Sequence, residues 1–155
     1  MREKRERIIV KNQKAYHDYE ILETYEAGIV LKGSEVKSIK EGRVSLKEAY
    51  ADIKDGEVYL LNMHVTPYEK DKVSKLNPTR PRKLLLHKYE IKRLIGKVKE
   101  KGLTLIPLMV VEKRNLIKIV LGLGRGKKLY EKREEIKKRM IEREIQRAMK
   151  KDIDY

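Results

Sequence analysis

The sequence predicts a mainly β protein: a small antiparallel β-barrel, closed or partly open, with flanking helices and a basic, helix-capable C-terminal tail. Three observations predict it. Asp55-Gly56 separates two alternating runs, the pair that best suits the positive φ values of a two-residue hairpin. Lys113-Arg114-Asn115 joins two further apolar runs by a short turn. Around Lys32-Gly33 the apolar period changes from two to 3.6, so one short helix follows a strand. Strands joined by tight turns and not by helices favour antiparallel pairing over a parallel α/β sheet.

Ile8-Ile9-Val10 begins the first pairing, and Lys11 to Tyr19 reads as a polar, basic helical turn. There Asn12 offers donors and acceptors and Lys14 offers charge, which fits either a solvated connector or a nucleic-acid contact. Tyr19, Ile21, Tyr25, Ala27, Ile29 and Leu31 then alternate as a half-buried strand, with Glu23 the polar intruder. Glu26 lies beside Ala27-Gly28, where a backbone or a ligand can approach closely; the alternative is an ordinary outward strand residue. Ser34 is expected to cap the helix that follows, with Glu35 at its positive end, Val36 and Ile39 on its buried face and Gly42 closing it.

Residues 49–54 and 57–65 form the Asp-Gly hairpin. Tyr50, Tyr59, His64 and Tyr68 could stack on bases or serve as cross-strand pairs. Residues 66–83, with Pro67, Pro78, Pro81 and six Lys or Arg, read as one long basic loop. The chain is expected to pass from Leu84-Leu85-Leu86 into a helix whose Ile91, Leu94, Ile95 and Val98 share one face, with Gly102 ending it. Residues 103–111 form an edge or bulged strand because Pro107 lacks an N–H, and 116–123 pair back onto it. Gly122-Leu123-Gly124-Arg125-Gly126 imitates a nucleotide-binding loop but lacks the spacing of a dinucleotide fingerprint and the ending of a P-loop.

Composition bounds the function. The 155 residues suit one domain, expected over 1–124, with an appendage over 125–155. With no Cys and three scattered His, thiolate chemistry is excluded and no metal site or cofactor is expected. The charged start at residues 1–7 and the lack of any 18-residue apolar run support neither export nor a membrane span, so a cytoplasmic protein is expected, and a monomer is expected with it. The 39 Lys and Arg against 24 Asp and Glu give +15 and a pI near 9.8, which points to a polyanionic partner, nucleic acid first. Residues 125–155 carry +5 of that charge and a thin apolar stripe, so the tail is expected to be disordered alone and helical when bound. Asp52, Asp55 and Glu57 cluster at the hairpin, but turn chemistry accounts for Asp55 and no nucleophile accompanies them. An enzyme is therefore not expected.

Several stretches together resemble the SsrA-binding protein (small protein B) family, the partner of transfer-messenger RNA (tmRNA). They are Asn12-Gln13-Lys14-Ala15 with Tyr19, Glu26-Ala27-Gly28-Ile29, Gly33-Ser34-Glu35-Val36-Lys37-Ser38, Pro67-Tyr68, Arg82-Lys83-Leu84-Leu85-Leu86, Gly102-Leu103-Thr104 and Gly126-Lys127-Lys128-Leu129-Tyr130-Glu131-Lys132-Arg133. The resemblance implies an oligonucleotide-binding-type barrel that grips the tRNA-like part of tmRNA and delivers it to stalled ribosomes for trans-translation. It places Asn12, Lys14, Glu26, Gly28, Arg82, Lys83 and Leu85 on the RNA face. It sends the tail into the decoding centre and empty mRNA channel, with Gly126, Lys127, Lys128, Tyr130, Glu131, Lys132 and Arg133 against ribosomal RNA. Glu131 stands for the family's usual Asp, Tyr130 for a common His and Gln13 for a basic residue, which puts a phosphate contact at Gln13 in doubt. The competing reading is a generic single-stranded RNA binder of the cold-shock or initiation-factor type, whose stacking platform would here have to be built from Tyr alone.

Overall fold

Asp55 at φ 53° and Gly56 at φ 77° turn the chain back between β4 (Tyr50–Lys54) and β5 (Glu57–Leu61), which pair antiparallel from Tyr50–Leu61 to Lys54–Glu57. Arg114 and Asn115, at φ 50° and 67°, do the same between β8 (Thr104–Lys113) and β9 (Leu116–Gly126). Both turns stand where the local residue chemistry puts them. The computed structural model describes residues 6–70, 76–127 and 139–147, without the side chains of residues 100 and 101. The other elements are β1 (Glu6–Lys11), α1 (Gln13–Asp18), β2 (Tyr19–Ile29), α2 (Gly33–Lys40), β3 (Val44–Ser45), β6 (His64–Val65), β7 (Arg82–Leu85) and α3 (Lys88–Lys101).

Seven strands form one antiparallel sheet in the order β1-β8-β9-β2-β7-β5-β4, and β3 pairs with β6 apart from it. The main core draws on Ala27 of β2, Val58 and Leu60 of β5, Leu84 of β7, Val110 of β8 and Leu121 of β9, so the sheet wraps around it, while Ala15, Ile106 and Leu108 form a smaller cluster under α1. Ile39 of α2 and Ile91 and Leu94 of α3 plug the same core. The β1 and β4 edges are not joined by a ladder, so the expected barrel is the open form.

Three local expectations change. Lys32, not Ser34, occupies the N-cap of α2, because the Glu35 carboxylate reaches back to the Lys32 N–H at 2.8 Å. Pro107 does mark a bulge, at the register shift between Pro107 and Met109, but β8 is interior, with β1 on one side and β9 on the other. The bulge frees carbonyls that Asn12 collects: its N–H donates to Leu108 O at 2.8 Å and its Nδ2 to Pro107 O at 3.0 Å. Finally, the expected loop ends at Pro81, because Arg82 and Lys83 belong to β7. That strand sits inside the sheet between β2 and β5. An Arg at its first inward position hid the strand's alternation from sequence reading.

Close packing explains the Gly-x-Gly run. A Cβ on Gly122 would stand 2.7 Å from Leu108 Cδ1, and one on Gly124 would stand 2.6 Å from the backbone oxygen of Glu20. These glycines let β2 approach β9; the second obstacle is backbone and cannot swing aside. Contacts divide the chain into Met1–Arg125 and Gly126–Tyr155, and in the second unit residues 139–147 are helical with every side chain exposed. Residues 128–138 and 148–155, most of the tail for which the sequence suggests disorder alone and helix on binding, lie outside the described residues.

Gly124→Ala should destabilise the folded domain by about 1–3 kcal/mol, the usual cost of forcing an extra carbon into a packed site. Urea unfolding measures it; an unchanged midpoint would show that β2 and β9 can part without penalty.

Candidate nucleic-acid interface

The register of β2 against β7 places Gly28 opposite Leu85 and Ile29 opposite Leu84, and the Val30 N–H donates to Lys83 O at 3.0 Å. Residues far apart in sequence thus share one outward surface. Glu26 and Leu85 face solvent on it and Lys83 is half-buried there. Gly28 lets Leu85 sit close over it, since an added Cβ would lie 3.3 Å from Leu85 Cβ, a tight contact that Leu85 would have to relieve by a few tenths of an ångström. Leu85 is 51% exposed and Val30 46%, which leaves an apolar strip with few reasons to exist in isolation.

Charge borders this strip. Lys113 Nζ donates to Glu26 Oε2 and lies 3.2 Å from Glu6 Oε1; the Glu26 bond, then the Glu6 bond, raises its pKa. Glu20 accepts from Arg125 Nη2 at 2.9 Å, and Lys83 Nζ stands 3.7 Å from Glu57 Oε2. On the inward side of the same strand, Glu23 accepts from Arg93 Nη2 at 2.9 Å, Tyr25 Oη at 2.7 Å and Lys97 Nζ at 2.9 Å. Hydrogen bonds from Arg93, Tyr25 and Lys97, in that order, hold the Glu23 pKa down to about 2. The polar intruder of the strand is therefore the tie between β2 and α3. The same bond raises the pKa of Arg93.

A second cluster fixes β7 from beneath. Arg82 is 1% exposed and Glu35 4%. Arg82 donates Nε to Glu35 Oε2 at 2.8 Å, Nη1 to Met63 O at 2.7 Å and Nη2 to Pro78 O at 3.0 Å. Arg80 adds Nε to Glu35 Oε2 at 3.1 Å and a short Nη2 bond to Glu35 Oε1. Burial alone would raise the Glu35 pKa, but Arg80, the Lys32 N–H and Arg82 outweigh it and the net shift is downward. Burial lowers the Arg82 pKa against the pull of Glu35. Removing one partner from so enclosed a pair strands a charge in low dielectric.

Of the residues expected on the RNA face, Glu26, Gly28, Lys83 and Leu85 come together. Arg82 does not: its side chain is fully enclosed, so the expected contact from it is corrected to a role inside the fold, the reason being its three hydrogen-bonding partners. Asn12 is anchored on the β8 bulge, where its Oδ1 also accepts from the Ala15 N–H at 3.3 Å, and Lys14 stands exposed on α1. Gly126 is exposed at the end of β9 and Lys127 is half-buried beside it; Lys128, Tyr130, Glu131, Lys132 and Arg133 lie outside the described residues. Tyr50 is half exposed on β4, while Tyr68 lies under Lys37 Nζ, 5.4 Å from the ring centroid. Sequence reasoning missed Glu35 and Arg80 as a pair with Arg82; only the Arg-x-Arg run before an apolar strand could have hinted at it. Among the described residues no group of His, Asp and Glu could hold a metal ion, and no helix is long and apolar enough to cross a membrane.

A basic antiparallel domain with an outward apolar strip edged by ion pairs is a protein built to receive an extended polyanionic surface. The profile of the family described as SmpB protein matches residues 9–151. The SsrA-binding protein of Carboxydothermus hydrogenoformans is 59% identical over 145 residues, covering 94% of this chain and 97% of that protein. That of Acetivibrio thermocellus is 52% identical over 152 residues, covering 98% and 99%. A solved structure described as "tmRNA-SmpB: a journey to the center of the bacterial ribosome" matches with TM-score 0.66 and 51% identity, over 82% of this chain and 93% of that one. The chain belongs to the SmpB family.

Glu35→Gln should cost about 3–5 kcal/mol of stability, because Arg82 stays buried without a counter-charge. Thermal and urea unfolding measure it, and a loss below 1 kcal/mol would show that Arg82 escapes to water. A pH dependence follows from Glu23. A carboxylate whose pKa is lowered by folding contributes stability that is complete above its ordinary value and fades as pH falls through the folded value. For Glu23 that window runs from 4.5 down to about 2. Urea midpoints of the parent chain should fall across it and those of Glu23→Gln should fall less; parallel curves would refute the tie to α3.

Proposed function

We infer that this protein binds the tRNA-like part of tmRNA and carries it to stalled ribosomes for trans-translation. The observation that carries the reading is the Gly28–Leu85 register, which assembles one fixed face from two distant motifs of the family. On that face the positive residues supply affinity and its salt dependence. Glu26 accepts hydrogen bonds from a base edge or a 2′-hydroxyl, which a cation cannot do, and so adds selectivity. Leu85 packs over Gly28 and works by excluding water from an unstacked base or ribose. Lys14 and Lys83 pair with phosphates, and Asn12 holds α1, with Lys14 on it, at the β8 bulge.

The proposed division of labour is an RNA-binding domain over 1–124 and a ribosome-contacting tail over 125–155. In the tail Gly126, Lys127, Lys128, Tyr130, Glu131, Lys132 and Arg133 meet ribosomal RNA in the decoding centre. The protein acts by binding and positioning in the cytoplasm, not by catalysis. A generic single-strand binder is the weaker reading, since the strands of the face meet in a fixed register that presents Glu26 and Leu85, and the family match is to SsrA-binding proteins.

In a gel shift, folded tmRNA should be retained against an equal concentration of unstructured RNA. Deleting residues 125–155 should leave that affinity within two-fold while abolishing tagging on stalled ribosomes. Displacement by unstructured RNA refutes shape recognition, and a tail deletion that still supports tagging refutes the division.

A further inference from the structure

Exposed side chains continue past the end of β7. Along the chain Arg82 and Leu84 are buried and Leu86 is half-buried, whereas Lys83 is half-exposed and Leu85 and His87 are exposed. His87, two residues after Leu85 and exposed like it, is the N-cap of α3 and keeps extended backbone at φ −66° and ψ 147°. Two residues later Tyr89 lies on that ring. The centroids are 5.4 Å apart and the planes differ by 11°, an offset parallel stack. The His87 N–H is tied to Glu90 Oε1 at 3.1 Å, which fixes the backbone that carries both rings.

This stack is unusually open to solvent. Tyr89 is 70% exposed, so one face of the pair is covered by its partner while an outer face remains bare. Leu85, two residues before His87 in the chain, is 51% exposed and Val30 46%, and exposed Lys88 stands between the two rings in sequence. A stacked pair with a free face is extended by a third planar ring, and nucleobases offer such a ring whatever their sequence. We propose that His87 and Tyr89 form a stacking platform at the end of β7 that takes one unpaired nucleobase of the RNA partner, with Lys88 near its phosphate. The proposal deepens the RNA-binding reading of the β2–β7 face and rests on it.

The test compares full-length variants binding a labelled tRNA-like part of tmRNA, by fluorescence anisotropy over a range of salt. Tyr89→Ala should weaken binding about ten-fold, as loss of one base stack does. Tyr89→Phe should stay within two-fold of the parent chain, because the ring and not the hydroxyl makes the contact. Losing a neutral ring should leave the slope of affinity against salt unchanged, whereas Lys83→Ala should reduce it. Both rings are exposed, so the thermal midpoint should hold. The platform is overturned if Tyr89→Ala binds within two-fold of the parent chain. If Leu85→Ala is then weakened, the β2–β7 face survives without it; if neither variant is weakened, both readings fall. Weak binding by Tyr89→Ala with full binding by Leu85→Ala would uphold the platform and refute Leu85 as part of the face.

Discussion

The enclosed contact between Arg82 and Glu35 is the constraint on which the proposed RNA face depends. β7 is a four-residue strand between β2 and β5, too short for its own ladder to hold it firmly. Arg82 anchors its start by joining α2 through Glu35, the segment before β6 through Met63 O and the proline-rich loop through Pro78 O. Such a pair is poor evidence for net stability, because desolvation offsets most of the attraction. Its value here is geometric: three carbonyl or carboxylate partners at fixed angles permit one placement of β7, and with it one placement of Leu85.

A similar logic runs along β2. Its carboxylates at 20, 23 and 26 each meet cations from other segments: Arg125, then Arg93 and Lys97, then Lys113. The pairs on the outward side are exposed and individually worth little. They do set the sign of the charge along the face. In a chain of +15, carboxylates kept on the presenting strand stop the surface from becoming uniformly attractive, and that leaves room for shape and base edges to matter.

Glycine serves the face and the fold by the same means. Gly28 makes room for Leu85, and Gly122 and Gly124 make room for Leu108 and the backbone of β2. The glycine run that imitates a phosphate loop is thus a packing device between strands, and its resemblance to a nucleotide site ends at the letters.

Much of this was legible from residue order alone. The Asp-Gly and Arg-Asn turns, the helix carrying Ile91 and Leu94, the Pro107 bulge and the basic excess are local properties, decided by dihedral preference, period and charge. Glu26, Gly28, Lys83 and Leu85 were grouped through family motifs and not through geometry, and the β2–β7 register puts them on one face. Sequence could not decide which charged residues would be inside. Arg82 and Glu35 are 47 positions apart, and each by itself reads as a surface charge. Only folding brings their charges close enough to offset the cost of burial, and that mutual condition turns the end of an apparent loop into the strand that carries the proposed RNA face.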